Sequence, residues 1–361
     1  MVLVTGATGI LGRVIALKLL EKGFNVKATK RPSSNINDVK HSWHAYTDKA
    51  EEYFNKIQWV DADFDDTNSL QRALEGVTEV YHCAARVSFN PKFRRELYHT
   101  NIDGTKNLLY ACEGSSVNKF CFISSIAVLD GFNENGELDE DSDFKHALDH
   151  SAYAKSKHFS EMEVWRASAE GLNTVIVLPG IILGTGNWEA SSGKLFNSFE
   201  VTPYTFSGSS AYVDARDVAD ISIALMEKNI FGERFITISE TRTYKSFSEK
   251  VRSKLGLSAP KIIPDGLLHF SRIFGKLGFL IPPLKMLNKA NIEAITAHNK
   301  ISNKKIKDQL GYQFIPLDES IDFHLNNYIK DKKTEVLTNE FSTINYHPKP
   351  GKACAESCCR F

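Results

Sequence analysis

Short apolar runs alternate with longer stretches of helical periodicity through the first half of this chain. Met1-Val2-Leu3-Val4 is an uninterrupted apolar run and reads as a parallel strand buried on both faces. It begins the fold at once, so no targeting peptide is expected before it. Val14, Ile15, Leu17, Leu19 and Leu20 then recur at the spacing of a helix packed on a sheet. Further strands are predicted at Phe24-Asn25-Val26-Lys27-Ala28-Thr29, Ile57-Gln58-Trp59-Val60, Glu79-Val80-Tyr81-His82-Cys83 and Phe120-Cys121-Phe122-Ile123. Alternation of this kind through residue 185 predicts an α/β fold with a doubly wound parallel sheet. After Gly184 the pattern changes: Gly186-Asn187-Trp188 and Ser191-Ser192-Gly193 read as loops, and Val213 to Glu227 returns to the sheet. The expected division is a sheet domain of residues 1–185 and 211–240, a smaller, discontinuous, mainly helical lobe of 186–210 and 241–330, and a polar, mobile tail of 331–361.

Between the first strand and the first helix stands Thr5-Gly6-Ala7-Thr8-Gly9-Ile10-Leu11-Gly12. Glycines allow a backbone to approach a phosphate, and a helix N-terminus offers it unpaired N–H groups and the positive end of a dipole. In a strand-turn-helix context, Gly6, Gly9 and Gly12, with Thr8 and Ile10 in the same turn, point to a dinucleotide pyrophosphate. Where an NAD-preferring fold places an acid at the end of the second strand, this chain has Lys30-Arg31-Pro32-Ser33-Ser34. Two cations and two hydroxyls suit a 2′-phosphate, which favours NADP over NAD. After the third strand, Asp63 is a candidate acceptor for the adenine amino group and Phe64 a border for its ring, the other acids of this run capping a helix that begins near Thr67. Ala84-Ala85 after the fourth strand are small enough to let a ribose approach. His82 and Cys83 read as core residues.

The chemistry is expected from Ser125, Tyr153 and Lys157. Ser124-Ser125 ends an apolar strand, and Tyr153 and Lys157 are spaced to share one helix face. A free phenol titrates near pH ~10, and an adjacent ammonium together with an oxidised nicotinamide ring is expected to favour the phenolate. Tyr153 then serves as acid or base toward a carbonyl oxygen or alcohol, Ser125 donates to that oxygen, and Lys157 also binds the ribose hydroxyls. Ser124 is the competing hydroxyl.

These motifs, with Asn101-Ile102-Asp103-Gly104-Thr105-Lys106-Asn107-Leu108-Leu109 and Tyr212-Val213-Asp214-Ala215-Arg216-Asp217-Val218-Ala219, resemble those of extended short-chain dehydrogenase/reductases of the NAD-dependent epimerase/dehydratase type, over residues 1 to about 325. The resemblance implies a Rossmann domain, a Ser125-Tyr153-Lys157 triad, and Pro179-Gly180-Ile181-Ile182 passing beside the nicotinamide. Val26-Lys27-Ala28-Thr29-Lys30-Arg31 is similar to dihydroflavonol 4-reductases and cinnamoyl-CoA reductases, and Ile123-Ser124-Ser125-Ile126-Ala127-Val128 to 3β-hydroxysteroid dehydrogenases. An NADP(H)-dependent oxidoreductase of a bulky, hydrophobic, ring-bearing substrate is the expectation. A nucleotide-sugar epimerase or dehydratase and a non-catalytic NADP-sensing regulator are the alternatives. Leu129-Asp130 and Leu178-Pro179 stand where sugar-nucleotide enzymes commonly carry Tyr-Gly and Arg-Pro.

Lys plus Arg and Asp plus Glu are 44 each, which gives no push toward nucleic acid or an anionic surface. Small molecules are the expected partners, in a cytoplasmic enzyme, and the helices around 101–112 and 153–169 resemble those that pair in dimers of the superfamily. Val87, Phe89, Trp188 and the segment Pro264 to Leu287 are expected to shape the substrate pocket. That segment is apolar, but Arg272, Lys276, Lys285 and Pro282-Pro283 interrupt it, so it reads as a lid or buried helical pair rather than a membrane span. Cys83, Cys112 and Cys121 read as buried thiols. Cys354, Cys358 and Cys359 crowd the tail without a fourth ligand at convincing metal spacing.

Overall fold

The structure is a computed structural model, and it describes residues 1–144, 150–189, 191–275 and 288–344. The five early apolar runs form strands β1 (Val2–Thr5), β2 (Val26–Lys30), β3 (Gln58–Asp61), β4 (Glu79–His82) and β5 (Lys119–Ile123). A two-residue strand, β6 (Glu137–Leu138), comes before β7 (Asn173–Pro179), and β8 (Ile181–Leu183), β9 (Tyr204–Thr205), β10 (Ser209–Asp214) and β11 (Glu233–Thr237) follow. Seven of these make one sheet in the order β11-β7-β5-β4-β1-β2-β3, with every pair parallel. The strand order reverses between β1 and β4, which opens a crevice at their carboxyl ends.

Alternation along the strands decides what each face holds. Val2 and Val4 of β1, Cys121 and Ile123 of β5, and Val175 and Val177 of β7 join one cluster with α1 (Ile10–Glu21). In its loops lie α2 (Asn37–Trp43) and α3 (Ala50–Lys56). Leu3, Phe120, Phe122, Ile176 and Leu178 face the other way, into a cluster with α4 (Thr67–Leu74), α6 (Gly104–Glu113) and α7 (Ala152–Ala169), a short α5 (Arg94–Tyr98) preceding α6. Both faces are therefore covered, as the unbroken apolar strands require.

The second lobe packs a separate aromatic core of Phe196, Phe199, Tyr212, Phe247 and Tyr328. It comprises α8 (Lys194–Val201), α10 (Tyr244–Lys254), α11 (Asp265–Gly275), α12 (Lys289–Thr296) and α14 (Leu317–Ile344), while α9 (Ala215–Glu227) returns to pack on α1 and α13 (Lys304–Leu310) packs on β11 of the large sheet. Small sheets join the lobe to the frame: β8 and β10 with β12 (Glu240–Thr243), β9 with β13 (Lys261–Ile262), and β6 with β14 (Lys300–Ile301). The expected mobile tail differs from residue 331 onward, because α14 continues to Ile344. Asp331 accepts from the Trp188 indole at 2.8 Å and Lys332 donates to Glu200 at 2.7 Å, so the start of the expected tail is tied to the lobe. The cysteines at 354, 358 and 359 and the Pro282-Pro283 break lie outside the described residues. In the described part of the apolar segment, Leu268 is buried while Leu267 and Phe270 are exposed on α11, a partial fit to a buried helical pair.

Candidate active site

The glycine turn sits at the point where strand order reverses. Gly6 has φ +67°, and a Cβ there would stand 2.7 Å from the Ala84 backbone nitrogen at the end of β4. A Cβ on Gly12 would stand 2.3 Å from the Gly6 carbonyl oxygen. The protein's own packing therefore demands these two glycines, in addition to any approach of a phosphate to the turn. Gly9 is the N-cap of α1, where a Cβ would meet only the Gly6 oxygen at 3.1 Å. No side chain caps that end of α1 and no acid stands in its first turn. The first turn of α1, with no side-chain cap, thus presents N–H groups and a positive dipole end, which fits a pyrophosphate.

Arg13 was not anticipated. Its guanidinium is buried beneath the turn and donates to the carbonyls of Thr8 and Gly9, at 2.5 and 3.1 Å. Trp43 on α2 donates to the Arg13 carbonyl at 2.9 Å and closes the packing from behind. Burial pulls the Arg13 pKa down to about 10, still far above neutrality. A charged residue in the first turn of a helix reads as surface in a sequence; only the burial of α1 from Ile10 through Leu17 shows otherwise.

At the end of β2 the two expected cations separate. Lys30 lies opposite Asp61 in the β2–β3 register and donates to its carboxylate at 2.6 Å, so it is not a free phosphate ligand. Arg31 is exposed, and its guanidinium has no hydrogen-bond or ion-pair partner among the described residues. The chain turns there, the Ser34 N–H donating to the Arg31 carbonyl at 2.9 Å. Asp63 is exposed after β3, one oxygen accepting from the Asp65 N–H at 3.0 Å, while Asp66 caps α4. The Phe64 ring packs toward His82 at 5.8 Å and against Gly104, which leaves it half-buried at the rim. Ala84 and Ala85 are half-buried after β4; Pro179 closes β7 and Ile181 and Ile182 open β8. His82 is core: its ring nitrogens engage Thr5 at 2.7 Å and Thr105 at 2.9 Å, and burial drops its pKa to about 3.

The catalytic candidates meet at the C-terminal end of β5. Ser125 caps a 3-10 turn, its hydroxyl accepting from the Ala127 N–H at 3.2 Å, and lies near enough to the phenol of Tyr153 on α7 to lower its pKa. Ser124, the competing hydroxyl, turns inward and donates to the buried carboxylate of Glu161. Lys157 lies one turn beyond Tyr153, donates to the Ile123 carbonyl at 2.7 Å and sits 4.8 Å over the Phe122 ring. Burial pushes the Tyr153 phenol up to about 12, and Ser125 is the one residue that lowers it. The expectation that Lys157 holds the phenol low is thus not met by the protein's own groups: the ammonium is spent on the Ile123 carbonyl. Burial draws Lys157 itself down to about 8, against the pull of Cys83 and Glu161.

Two positioning groups were missed. Glu161, four residues beyond Lys157, also pairs with Arg234 of β11 at 3.3 Å. Asn101 sits in a π-helical turn and bridges the Arg86 backbone to the Ser156 hydroxyl at 2.9 Å, pinning α7 beside Tyr153. Their signal was Asn and Glu at buried helical positions, legible once the packing is known. Phe89 meets the Tyr153 ring edge-on at 5.9 Å, and Val87 is exposed. Trp188 is a correction: it packs on Phe196 and Tyr328 in the second lobe's own core. Among the described residues no cluster of His, Cys, Asp and Glu could hold a metal, and no helix is long and apolar enough to cross a membrane.

Comparison with known proteins agrees with this geometry. The crystal structure of gox2253 superposes with a TM-score of 0.77 at 22% identity, covering 92% of this chain and 98% of that one. A dTDP-glucose 4,6-dehydratase from Streptomyces venezuelae, solved with NAD bound, gives 0.72 at 17% identity, covering 92% and 98%. In sequence, the chain is 30% identical to sterol demethylase protein B of Methylococcus capsulatus, over 74% of this chain and 78% of that one. It is 27% identical to a decarboxylating sterol-4-alpha-carboxylate 3-dehydrogenase of Dictyostelium discoideum, over 86% and 95%. A dihydroflavonol 4-reductase of Arabidopsis thaliana is 25% identical over 70% and 69%. The NAD dependent epimerase/dehydratase family model matches residues 2–236, from the first strand of the large sheet into its last. A match of that extent, laid over a glycine turn and a Tyr153–Lys157 pair set at the same crevice, makes the chain a member of the NAD dependent epimerase/dehydratase family and an NAD(P)-dependent oxidoreductase of alcohol and carbonyl groups.

Proposed function

We propose that the protein uses NADPH to reduce the carbonyl of a bulky, hydrophobic, ring-bearing substrate. The observation that carries this reading is the placing of Ser125, Tyr153 and Lys157 together at the C-terminal end of β5, with Ser124 withdrawn to Glu161. A bound nicotinamide supplies the hydride. Tyr153, protonated throughout the physiological range at a pKa of about 12, gives its proton to the substrate oxygen while Ser125 donates a hydrogen bond to the same atom. Lys157, one turn along the same helix face, is the residue to bind the ribose hydroxyls. Gly9 and the open end of α1 receive the pyrophosphate, Asp63 the adenine amino group, and Ala84, Ala85, Pro179, Ile181 and Ile182 border the ribose and nicotinamide. The unpartnered Arg31, with no acid at the end of β2, supports the 2′-phosphate and NADP over NAD. The sterol and flavonoid names of the relatives support a ring-bearing substrate.

The test is a titration with NADPH and NADH, followed by cofactor absorbance with flavonoid, steroid and simple aromatic ketones. Arg31→Ala is expected to weaken NADPH by about tenfold or more while leaving NADH nearly unmoved. Tyr153→Phe is expected to lower turnover by about 10²–10⁴-fold. Equal losses for the two cofactors would refute the phosphate assignment. Sugar-nucleotide turnover with no net change in cofactor would replace the reductase reading with that of an epimerase or dehydratase. A biological activity that survives Tyr153→Phe intact would favour a non-catalytic sensor.

A homodimer in the cytoplasm fits the same reading. The outer faces of α6 and α7 leave Tyr110, Phe159 and Met162 exposed beside one another's helices, a surface suited to a second copy. Sedimentation as a monomer at micromolar concentration would sink that assembly. Reduced, unpaired Cys83, Cys112 and Cys121 support the compartment.

A further inference from the structure

Arg13 carries a charge in the dry interior of the molecule. It stands in the first turn of α1 and is 1% exposed. Its hydrogen bonds go to backbone carbonyls, those of Thr8 at 2.5 Å, Gly9 at 3.1 Å and Asp38 at 3.4 Å. No carboxylate forms an ion pair with it among the described residues. Asp38 offers only its carbonyl, because its carboxylate accepts from the Asn35 amide at 2.7 Å. Tyr46 lies in the same field, but burial pushes that phenol up to about 12, so it is neutral. Gly186 closes the packing on another side, where a Cβ would stand 2.5 Å from a guanidinium nitrogen. Burial lowers the Arg13 pKa only to about 10, so the group remains a cation at neutral pH.

Arg252 shows how a buried arginine is compensated without a carboxylate. It is 5% exposed and donates to the carbonyls of Phe199, Glu200, Thr202 and Ser258. The first three of these end α8, at the negative end of a helix dipole, where a cation is favoured. Arg13 stands at the opposite end of its own helix. The N-terminus of α1 is already positive, so the dipole adds to the penalty of burying the charge. A buried charge calls for an opposite one, and within the chain Arg13 has none. The carbonyls that it does hold belong to the glycine turn. Within one peptide the C=O and N–H point in opposite directions, so drawing the Gly9 carbonyl toward Arg13 turns the Ile10 N–H outward from the turn.

We propose that Arg13 is a positioning residue for the cofactor's pyrophosphate: from beneath the turn it fixes the Thr8 and Gly9 carbonyls, and the dianion above supplies the counter-charge that the ligand-free chain lacks. The inference rests on the pyrophosphate lying at the first turn of α1, as in the proposed function. The guanidinium does not touch the ligand. It acts through one layer of backbone, where burial leaves little water to screen it. The ligand-free protein therefore holds this charge at the expense of its own stability, and dinucleotide binding relieves it.

The test compares Arg13→Lys, which keeps the charge, with Arg13→Gln, which keeps a donor and removes the charge. Calorimetric titration with NADP⁺ and NAD⁺, and urea unfolding without cofactor, are run at about pH 6, where a buried lysine holds its proton more readily than at neutrality. Arg13→Gln is expected to weaken both cofactors by the same factor, about tenfold or more, while Arg13→Lys stays within about threefold of the wild type. Ligand-free stability should run the other way, Arg13→Gln unfolding at a urea concentration no lower than Arg13→Lys. A guanidinium that only braces the fold would instead place Arg13→Gln below Arg13→Lys in both affinity and stability, and that result overturns the proposal. Equal losses of affinity in the two variants overturn it too, as does an Arg13→Gln protein that binds like the wild type. A loss confined to NADP⁺ places the missing charge at the 2′-phosphate and also refutes it. Should Arg13→Gln not fold, Arg13→Met serves as the neutral variant; failure of both means that the ligand-free fold itself needs the cation, against the proposal. A wild type that binds neither cofactor removes the cofactor reading and this inference with it, whereas binding indifferent to Arg13 removes the inference alone.

Discussion

Lys157 is a cation held where burial works against its charge. Desolvation draws its pKa down to about 8, while Cys83 at the end of β4 and Glu161 on its own helix hold it up; His82, the other titratable neighbour, is neutral at a pKa near 3. The proposed ribose contact needs the ammonium form, so kcat/KM for reduction is expected to fall as pH rises through about 8. Removing the negative charge in Glu161→Gln withdraws part of what keeps Lys157 protonated. The alkaline limb should then move to lower pH, with kcat/KM at pH 7.5 down by about tenfold or less. Glu161→Gln keeps an acceptor for Ser124, so a purely structural role predicts a lower melting temperature with an unmoved pH profile. An unmoved limb would therefore assign Glu161 to the scaffold alone.

Strand β1, its turn and α1 form the element on which the cofactor site stands, and its three glycines carry different loads. A methyl on Gly12 meets the Gly6 carbonyl at 2.3 Å, so α1 must move off β1, at a cost of about 1–3 kcal/mol. A methyl on Gly9 meets that oxygen at 3.1 Å and otherwise points into the crevice. Gly12→Ala should thus lose stability and NADPH affinity together, whereas Gly9→Ala should lose affinity with stability changed by less than about 1 kcal/mol. Urea unfolding beside NADPH titration separates the two, and equal destabilisation of both variants contradicts the division. The element itself was legible in the sequence, because an apolar run, glycines and an apolar helical stripe follow local rules. Ser125, Tyr153 and Lys157 were legible for the same reason, being a strand end and two positions one turn apart. What was not legible depends on tertiary register: Lys30 meets Asp61 only because β2 and β3 align at that residue, and Ser124 is diverted only because α7 brings Glu161 beneath it. Trp188, read as a pocket residue from its apolarity, is claimed instead by a helix whose length the polar sequence after residue 330 concealed.

Across the whole molecule, the sheet and the second lobe are latched at the start of α9. Asp214 accepts from Arg216 at 2.8 Å, from Ser320 at 2.7 Å and from the buried His324 ring at 3.1 Å, and these partners hold its pKa far below the usual carboxylate range in spite of burial. Its neighbour Asp217 is held the opposite way. Burial and then the charge of Asp214 outweigh hydrogen bonds from Tyr312 at 2.9 Å and the Ile315 N–H, and its pKa rises to about 7 from 3.8. An acid whose folded pKa is raised binds more protons in the native state than unfolded, so its contribution to stability declines as pH climbs from the unfolded value through about 7, then levels off. Asp214 shifts the other way, and its stabilisation is lost only in strong acid, well outside that window. Asp217→Asn keeps an oxygen for Tyr312 and Ile315 and removes the charge. The variant should match the wild type near pH 4 and become more stable than it by on the order of 2–4 kcal/mol at pH 8. Denaturant unfolding at the two pH values reads this directly. A stability difference that stays constant between them would mean that Asp217 is ionised throughout and that the latch is an ordinary ion-pair network.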